Sequence, residues 1–427
     1  MSVWIHRAIV VFIAVFLTAC GEEKTAESVF PRTSPSCEPL SLPGRYVVYW
    51  EDGRVSLEKA QSRQNLIDRL VKPRLHEIRR VEPDQWIQVT QREKLRNSSG
   101  QSDELSLQWG AGAAEAQWAW RMGLRGQGSV VAVIDSQVDI DHPQLSGRIK
   151  TNPGEEGLDD QGRDKRSNQI DDDGNGYVDD WAGYGFFSYA PNRSLQPDIH
   201  GTHVAGIIVA QHKDEEIQDL DYVQGIAPEA QILPLAFIGA LGGGTLYDAI
   251  RAIDYAVAHG AHVINASWGG AACSPELGQK IKGLKDHNVL FVAAAGNRGL
   301  NIDRFLEYPA SFNLGSQITV GSIGRSGLMA DHSNFGDQNV HIFAPGVDIL
   351  STVPFGGVES LTGTSMATPF VSGALALLKG HRPQAQMTEL RDVLLQSAEQ
   401  RSLYRNASRG RLNIARALIE LERLYPE

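Results

Sequence analysis

The sequence predicts an α/β fold organised on a parallel sheet, and three observations carry that expectation. From about residue 105 onward, short apolar runs alternate with longer segments of helical spacing. The runs Ser129–Ile134, Gln231–Ala236, His262–Asn265 and Val289–Ala294 have the nearly continuous apolar centres of strands buried on both faces. Between them, Thr245–His259 places Leu246, Ala249, Ile250, Ile253 and Val257 on one helical face. The chain has 427 residues, 42% of them hydrophobic and 21% charged, which is the composition of a globular protein with room for two or three domains.

The elements follow in order from the N-terminus. His6 and Arg7 precede the apolar run Ala8–Leu17, which has the length of a signal-peptide core and is too short for a membrane span. The run ends in Leu17-Thr18-Ala19-Cys20, followed by Gly21. This pattern resembles the lipobox of bacterial lipoproteins. The resemblance implies removal of residues 1–19, lipidation of Cys20, and anchorage in the bacterial cell envelope outside the cytoplasmic membrane, with Gly21 in place of Asp fitting an outer membrane. An ordinary cleaved signal peptide is the alternative. Residues 20–44 carry Pro31, Pro35, Pro39 and Pro43 among Ser, Thr and Glu and read as an extended tether. A strand at Arg45–Trp50, helical spacing over 57–72 and a strand at Trp86–Thr90 then define a small α+β unit over 45–96. The polar stretch 97–104 is a linker, and the larger domain spans 105–427. A net charge of −11 with no basic stripe argues against a nucleic-acid partner.

Three further runs carry chemistry. Asp135 closes the strand Val130–Ile134, at the end of the strand where α/β sheets place their sites. His200 opens His200-Gly201-Thr202-His203-Val204-Ala205-Gly206 at a helix start, with His203 one turn later read as structural. Ser365 lies in Gly363-Thr364-Ser365-Met366-Ala367-Thr368-Pro369, ahead of the helical spacing of Phe370–Lys379. A serine hydroxyl needs a base, and the base needs an orienting carboxylate; helix-start N–H groups suit a developing oxyanion.

In the order Asp, His, Ser, these motifs resemble the subtilisin family of serine proteases over roughly residues 105–420. The resemblance implies a subtilisin-like three-layer α/β/α domain with a mainly parallel sheet, a propeptide-like role for the small unit, and hydrolysis of peptide bonds in proteins through an acyl-enzyme; an unrelated small N-terminal domain is the alternative for that unit. On it, Asp135, His200 and Ser365 form the catalytic triad, and Asn297 of Ala293-Ala294-Ala295-Gly296-Asn297 supplies an oxyanion donor. Gly242, Gly243, Gly244, Ser267, Trp268 and Gly269 match segments that pair with an extended substrate. Glu307, just before Tyr308-Pro309, matches a position near the floor of the first specificity pocket, where a carboxylate favours lysine or arginine; a loop glutamate facing solvent is the alternative. The protein is expected to act as a monomer, with its lipid on Cys20 as the membrane contact. A catalytically silent peptide-binding lipoprotein is the competing class, kept open because Gln137 and Ile199 stand where the family has glycine.

The run Asp171-Asp172-Asp173-Gly174-Asn175-Gly176 has alternating oxygen donors around a glycine turn, like the start of an EF-hand loop, but Ala182 stands at the twelfth position instead of glutamate. A structural calcium loop of the kind found in subtilisin relatives is the reading, with Asp171, Asp173, Asn175, Asp179 and the Tyr177 carbonyl as ligands; a solvated acidic turn is the alternative. Gln144 replaces an aspartate of the family's other common calcium site. Of three cysteines, Cys37 and Cys273 remain after Cys20, either bonded to each other or free.

Overall fold

The computed structural model of the chain describes residues 24–30, 41–88, 108–189, 196–212, 222–239, 242–270 and 273–426, so the signal sequence, Cys20, Cys37 and the 97–104 linker lie outside the described residues. The small unit contains strands β1 (Ser41–Trp50), β2 (Val55–Lys59) and β3 (Ile78–Gln88), all antiparallel, and a short helix α1 (Arg63–Leu66) continued by a wider turn to Val71. The helical spacing read from residue 57 thus divides in two. Val55–Lys59 pairs with β1, and the helix begins only after Ser62, whose hydroxyl accepts the Asn65 amide at 3.1 Å. The unit also begins earlier than residue 45: β1 starts at Ser41, and Val29 and Phe30 are buried with Val48, Trp50, Leu66 and Ile78.

The larger domain opens with helices α2 (Trp109–Ala113) and α3 (Ala116–Arg121). Strand β4 (Val130–Ser136), short β5 (Tyr184–Gly185), helix α4 (Ile199–Val209), strands β6 (Gln231–Ile238) and β7 (Gly243–Thr245) and helix α5 (Leu246–Ala258) follow. Then come β8 (Val263–Ala266), α6 (Pro275–Gly283), β9 (Leu290–Ala294), β10 (Gln317–Ile323) and β11 (Ile342–Pro345). The hairpin β12 (Ile349–Val353) and β13 (Gly357–Leu361) leads to the long α7 (Thr364–His381) and α8 (Met387–Gln396). Strands β14 (Glu399–Gln400) and β15 (Gly410–Arg411) and helix α9 (Ile414–Leu424) close the chain.

Nine strands form one sheet in the order β14-β15-β11-β10-β9-β8-β4-β6-β5, parallel except for β14 against β15. Alternation along β4 divides the two apolar layers. Val131 and Val133 face α4, α7, α8 and α9, while Val130, Ala132 and Ile134 face α5 and α6. The result is the three-layer α/β/α domain expected from the motifs. Helix α5 matches its expectation closely, with Thr245 capping the Asp248 amide at 3.2 Å. Every residue of α4 from His200 to Val209 is buried, because the β12–β13 hairpin lies across it. A Cβ on Gly206 would stand 2.2 Å from the Thr352 hydroxyl, so helix and hairpin meet at a distance that only glycine allows.

Cys273, in the loop just before α6, is disulfide-bonded.

Candidate active site

Strand β4 delivers Asp135 and the start of α4 delivers His200 to the same edge of the sheet, both buried. Asp135 Oδ1 accepts His200 Nδ1 at 2.7 Å and the Ser136 amide at 2.6 Å. Asp198, the N-cap of α4, accepts the His200 amide and the Ser136 hydroxyl, each at 2.9 Å, and that hydroxyl accepts the Gly201 amide at 2.9 Å. A Cβ on Gly201 would lie 2.2 Å from the Ser136 carbonyl oxygen, which explains glycine after the histidine. His200 Nε2 is buried and hydrogen-bonds no described residue, leaving it open for proton exchange. His203 is different: its Nε2 reaches the carbonyls of Ile349 and Glu359 at 2.9 and 3.0 Å, and burial pushes its pKa down to about 3. It is a neutral structural histidine, as expected.

Ser365 is the second residue of α7. Pro369 stands four residues on and has no N–H to give the Ser365 carbonyl. The Ser267 hydroxyl supplies the missing donor at 2.8 Å, and Ser365 Oγ donates back to the Ser267 carbonyl at 3.1 Å. Asn265 Nδ2 in turn donates to Ser267 Oγ at 3.0 Å. Asn297 follows β9, and its Oδ1 accepts both the amide and the hydroxyl of Thr364, at 2.8 and 2.9 Å. This fixes the amide orientation and leaves Nδ2 as the free donor end, close to Gly363.

The segments matched to an extended substrate already hold one. Strand β3 of the small unit adds antiparallel to β7, pairing Trp86 with Thr245, Ile87 with Gly244 and Gln88 with Gly243. On its other side Gln88 bridges Gly269, whose amide donates to the Gln88 carbonyl at 3.2 Å. A Cβ on Gly243 would lie 2.4 Å from Trp86 Nε1, so glycine permits the approach. Trp268 offers the occupant only backbone, since its ring is buried and its Nε1 donates to the Ile134 carbonyl at 2.7 Å. Two buried carboxylates of the small unit meet helix N-termini of the larger domain. Asp84 accepts the Tyr247 amide of α5 at 3.2 Å, and Glu82 accepts the Ser274 hydroxyl at 2.5 Å and the Glu276 amide of α6 at 3.4 Å.

Glu307 is buried behind Asn297, and its carboxylate has partners within the chain. Arg298 pairs with Oε1, and Asn334 Nδ2 donates to Oε2 at 2.9 Å. Burial raises its pKa, opposed by Arg298. Arg298 carried no signal in the sequence beyond adjacency to Asn297.

In the acidic loop, the donor atoms that converge are those of Asp171, Asp173 and Glu155, all within 4.8 Å of one another. Glu155 comes from the turn Asn152-Pro153-Gly154-Glu155, outside the motif, and was missed for that reason. Its Oε1 accepts the Asp172 amide at 2.7 Å, while its buried Oε2 hydrogen-bonds no described residue. Asn175 Oδ1 accepts the Tyr177 amide at 2.8 Å, and Asp179 accepts the Gln169 amide at 3.0 Å. An orphaned buried carboxylate oxygen beside two more carboxylates fits a hard divalent cation.

A parallel α/β domain with a buried Asp–His pair and a helix-start serine clamped to a substrate edge has the build of a serine hydrolase. The sequence matches the Subtilase family over residues 126–415, and the chain belongs to that family. It is 35% identical over 291 residues to the major intracellular serine protease of Bacillus subtilis (strain 168), covering 67% of this chain and 80% of that one. It is 32% identical over 295 residues to subtilisin Savinase of Lederbergia lenta, covering 69% of this chain and 91% of that one. The protein is therefore a serine-type endopeptidase acting on protein or peptide substrates.

One pH dependence follows from the contact between the units. Burial, reinforced by Glu276, pushes the Glu82 carboxyl up to about 7. The folded chain thus holds a proton on Glu82 that the unfolded chain releases, and this contribution to stability is lost as pH rises toward 7 and above. In a Ser365→Ala background, which avoids self-digestion, urea unfolding is expected to show stability falling more steeply between pH 5 and 8 with Glu82 present than in Glu82→Gln.

Proposed function

We propose that this endopeptidase works through Ser365, His200 and Asp135, with its small N-terminal unit as a built-in occupant of the cleft and a lipid on Cys20 as its anchor. The observations that carry the catalytic part are the Asp135–His200 bond at 2.7 Å and a helix-start serine whose hydroxyl is held by Ser267 at 3.1 Å. Ser365 Oγ attacks the scissile carbonyl carbon as His200 Nε2 takes its proton. Asp135 keeps Nδ1 protonated and stabilises the imidazolium; Asn297 Nδ2 and the Ser365 backbone N–H receive the oxyanion. His200 then passes the proton to the leaving amine, and water resolves the acyl-enzyme by the same steps in reverse. The departures Gln137 and Ile199 remove none of these groups. A fluorophosphonate probe is expected to label the protein, and Ser365→Ala to abolish both labelling and peptidase activity; labelling that persists in Ser365→Ala would refute the assignment.

The small unit supports a propeptide reading because β3 lies where an extended substrate would. Gly269 faces Gln88, so in an antiparallel occupant Ser267, two residues earlier, is matched to the position two beyond Gln88. Ser267 is also the residue that Ser365 Oγ touches. The first bond expected to be cut is therefore Thr90–Gln91. N-terminal sequencing of the processed protein is expected to begin at Gln91, and the Ser365→Ala protein to remain uncut.

Calcium is the cation that the Glu155, Asp171 and Asp173 set suits, with the role of tying the 152–155 turn to the 171–180 loop. It would supply charge neutralisation there and takes no part in the peptide-bond steps. Chelation is expected to lower the melting temperature, and Glu155→Gln to abolish that response; a melting temperature indifferent to chelator would count against the site.

The lipoprotein reading rests on the Leu17–Cys20 pattern, and envelope anchorage follows from it. The Cys273 disulfide bears on what happens after processing, because the other two cysteines, at 20 and 37, both lie N-terminal to the expected cut at Thr90–Gln91. Processed protein is expected to partition into detergent without reductant and to leave it when the disulfide is reduced, whereas Cys20→Ser protein is expected to stay in the aqueous phase.

A further inference from the structure

Glu307 and Arg298 sit next to the site without a part in the peptide-bond steps. The backbone of Gly270, one residue past the edge that holds Gln88, is bonded in both directions to Tyr308: the Gly270 amide donates to the Tyr308 carbonyl at 3.0 Å and the Tyr308 amide to the Gly270 carbonyl at 2.9 Å. Glu307 therefore lies directly behind the substrate edge. From the other side Gly296, the residue before Asn297, presses against it; a Cβ there would stand 2.2 Å from Glu307 Oε2 and 2.4 Å from Asn334 Nδ2. The walls 267–270 and 295–298 converge on one buried carboxylate, through Gly270, three residues past Ser267, and Gly296, one residue before Asn297.

That carboxylate is already engaged. Arg298 binds Oε1 through Nε and Nη2, and Asn334 binds Oε2. The Glu307 side chain is 7% exposed and the Arg298 side chain 62% exposed, so the guanidinium is the outer member of the pair and the group an incoming side chain meets first. A substrate lysine or arginine must displace a cation that the chain itself holds in place, with two guanidinium nitrogens on one carboxylate oxygen. An acidic side chain meets the guanidinium with Glu307 behind it, so its attraction is largely cancelled. A neutral side chain disturbs neither charge.

We propose that Arg298 is a specificity-determining residue: by occupying Glu307 it sets the pocket before the scissile bond to neutral side chains and excludes lysine and arginine. This rests on the active-site reading above and deepens it by naming the substrate class. It also reverses the preference that the bare sequence assigns to Glu307, because the arginine that Glu307 attracts is one of the chain's own.

The test compares kcat/KM for matched peptide anilides carrying Leu, Lys or Glu immediately before the cleaved bond, with active sites counted by fluorophosphonate titration. The natural protein is expected to cut the Leu substrate at least about tenfold faster than the Lys substrate, and Arg298→Ala and Arg298→Met to raise the Lys-to-Leu ratio about tenfold by uncovering Glu307. Adding Glu307→Gln to either variant is expected to cancel that gain. A natural protein that prefers Lys, or a Lys-to-Leu ratio unmoved in both Arg298 variants, would overturn the proposal. Failure of the natural protein to label with fluorophosphonate would instead overturn the active-site reading, so the two failures are separable.

Discussion

The carbonyl of Ser365 is the point on which the site turns. A helix would normally satisfy it with the amide four residues on, but Pro369 has none, and an unsatisfied buried carbonyl costs about 1–3 kcal/mol. The Ser267 hydroxyl fills the gap, so Ser365 is fastened to the edge that holds Gln88. Thr364 fastens the same turn to Asn297. Ser365, Asn297 and the Ser267–Gly269 edge thus share one hydrogen-bonded frame. His200 is framed separately, by Asp198, Ser136 and Gly201 at the start of α4, and the buried contact of α4 with α7 joins the two frames.

Much of this was legible in the chain. Strands β4, β6, β8 and β9 and helices α5 and α7 follow from apolar runs and spacing, because the strands are buried along nearly their whole length, α5 keeps one apolar face under a local Thr245 cap, and α7 is buried from Thr364 to Lys379. The residues proposed to react stand out in the sequence because acyl transfer by a serine demands particular residue types at strand ends and helix starts. What escaped was set by partners distant in sequence. Leu57 fits a helical stripe as well as a strand, and only pairing with Val47 decides the matter. Glu155 joins the acidic loop through a separate turn, which no spacing within the loop announces. Glu307 read as an available charge because nothing in the sequence announces that Arg298 folds back onto it.

The small unit is held by the same kinds of interaction as the site. Glu82 and Asp84 meet the positive ends of α6 and α5, Arg79 and Arg80 reach Glu276, and Arg45 pairs with Asp84. These contacts concentrate along β3, the strand whose end runs into the cleft. Affinity for the larger domain and occupancy of the cleft are therefore properties of one strand.

That strand is also shared between two sheets' worth of structure, since β3 is flanked by β1 on one side and β7 on the other. Detached from β7, the small unit would carry an open row of unpaired amides and carbonyls along Trp86–Gln88. An exposed, extended edge is the conformation that a peptidase cleft reads most readily. Detachment would thus convert an occupant into fodder, and each unit destroyed could not return to the cleft it had left. If the small unit is the propeptide proposed above, activation in such a population would have the kinetics of a chain reaction: a lag while the first molecules open, then acceleration without a reverse step.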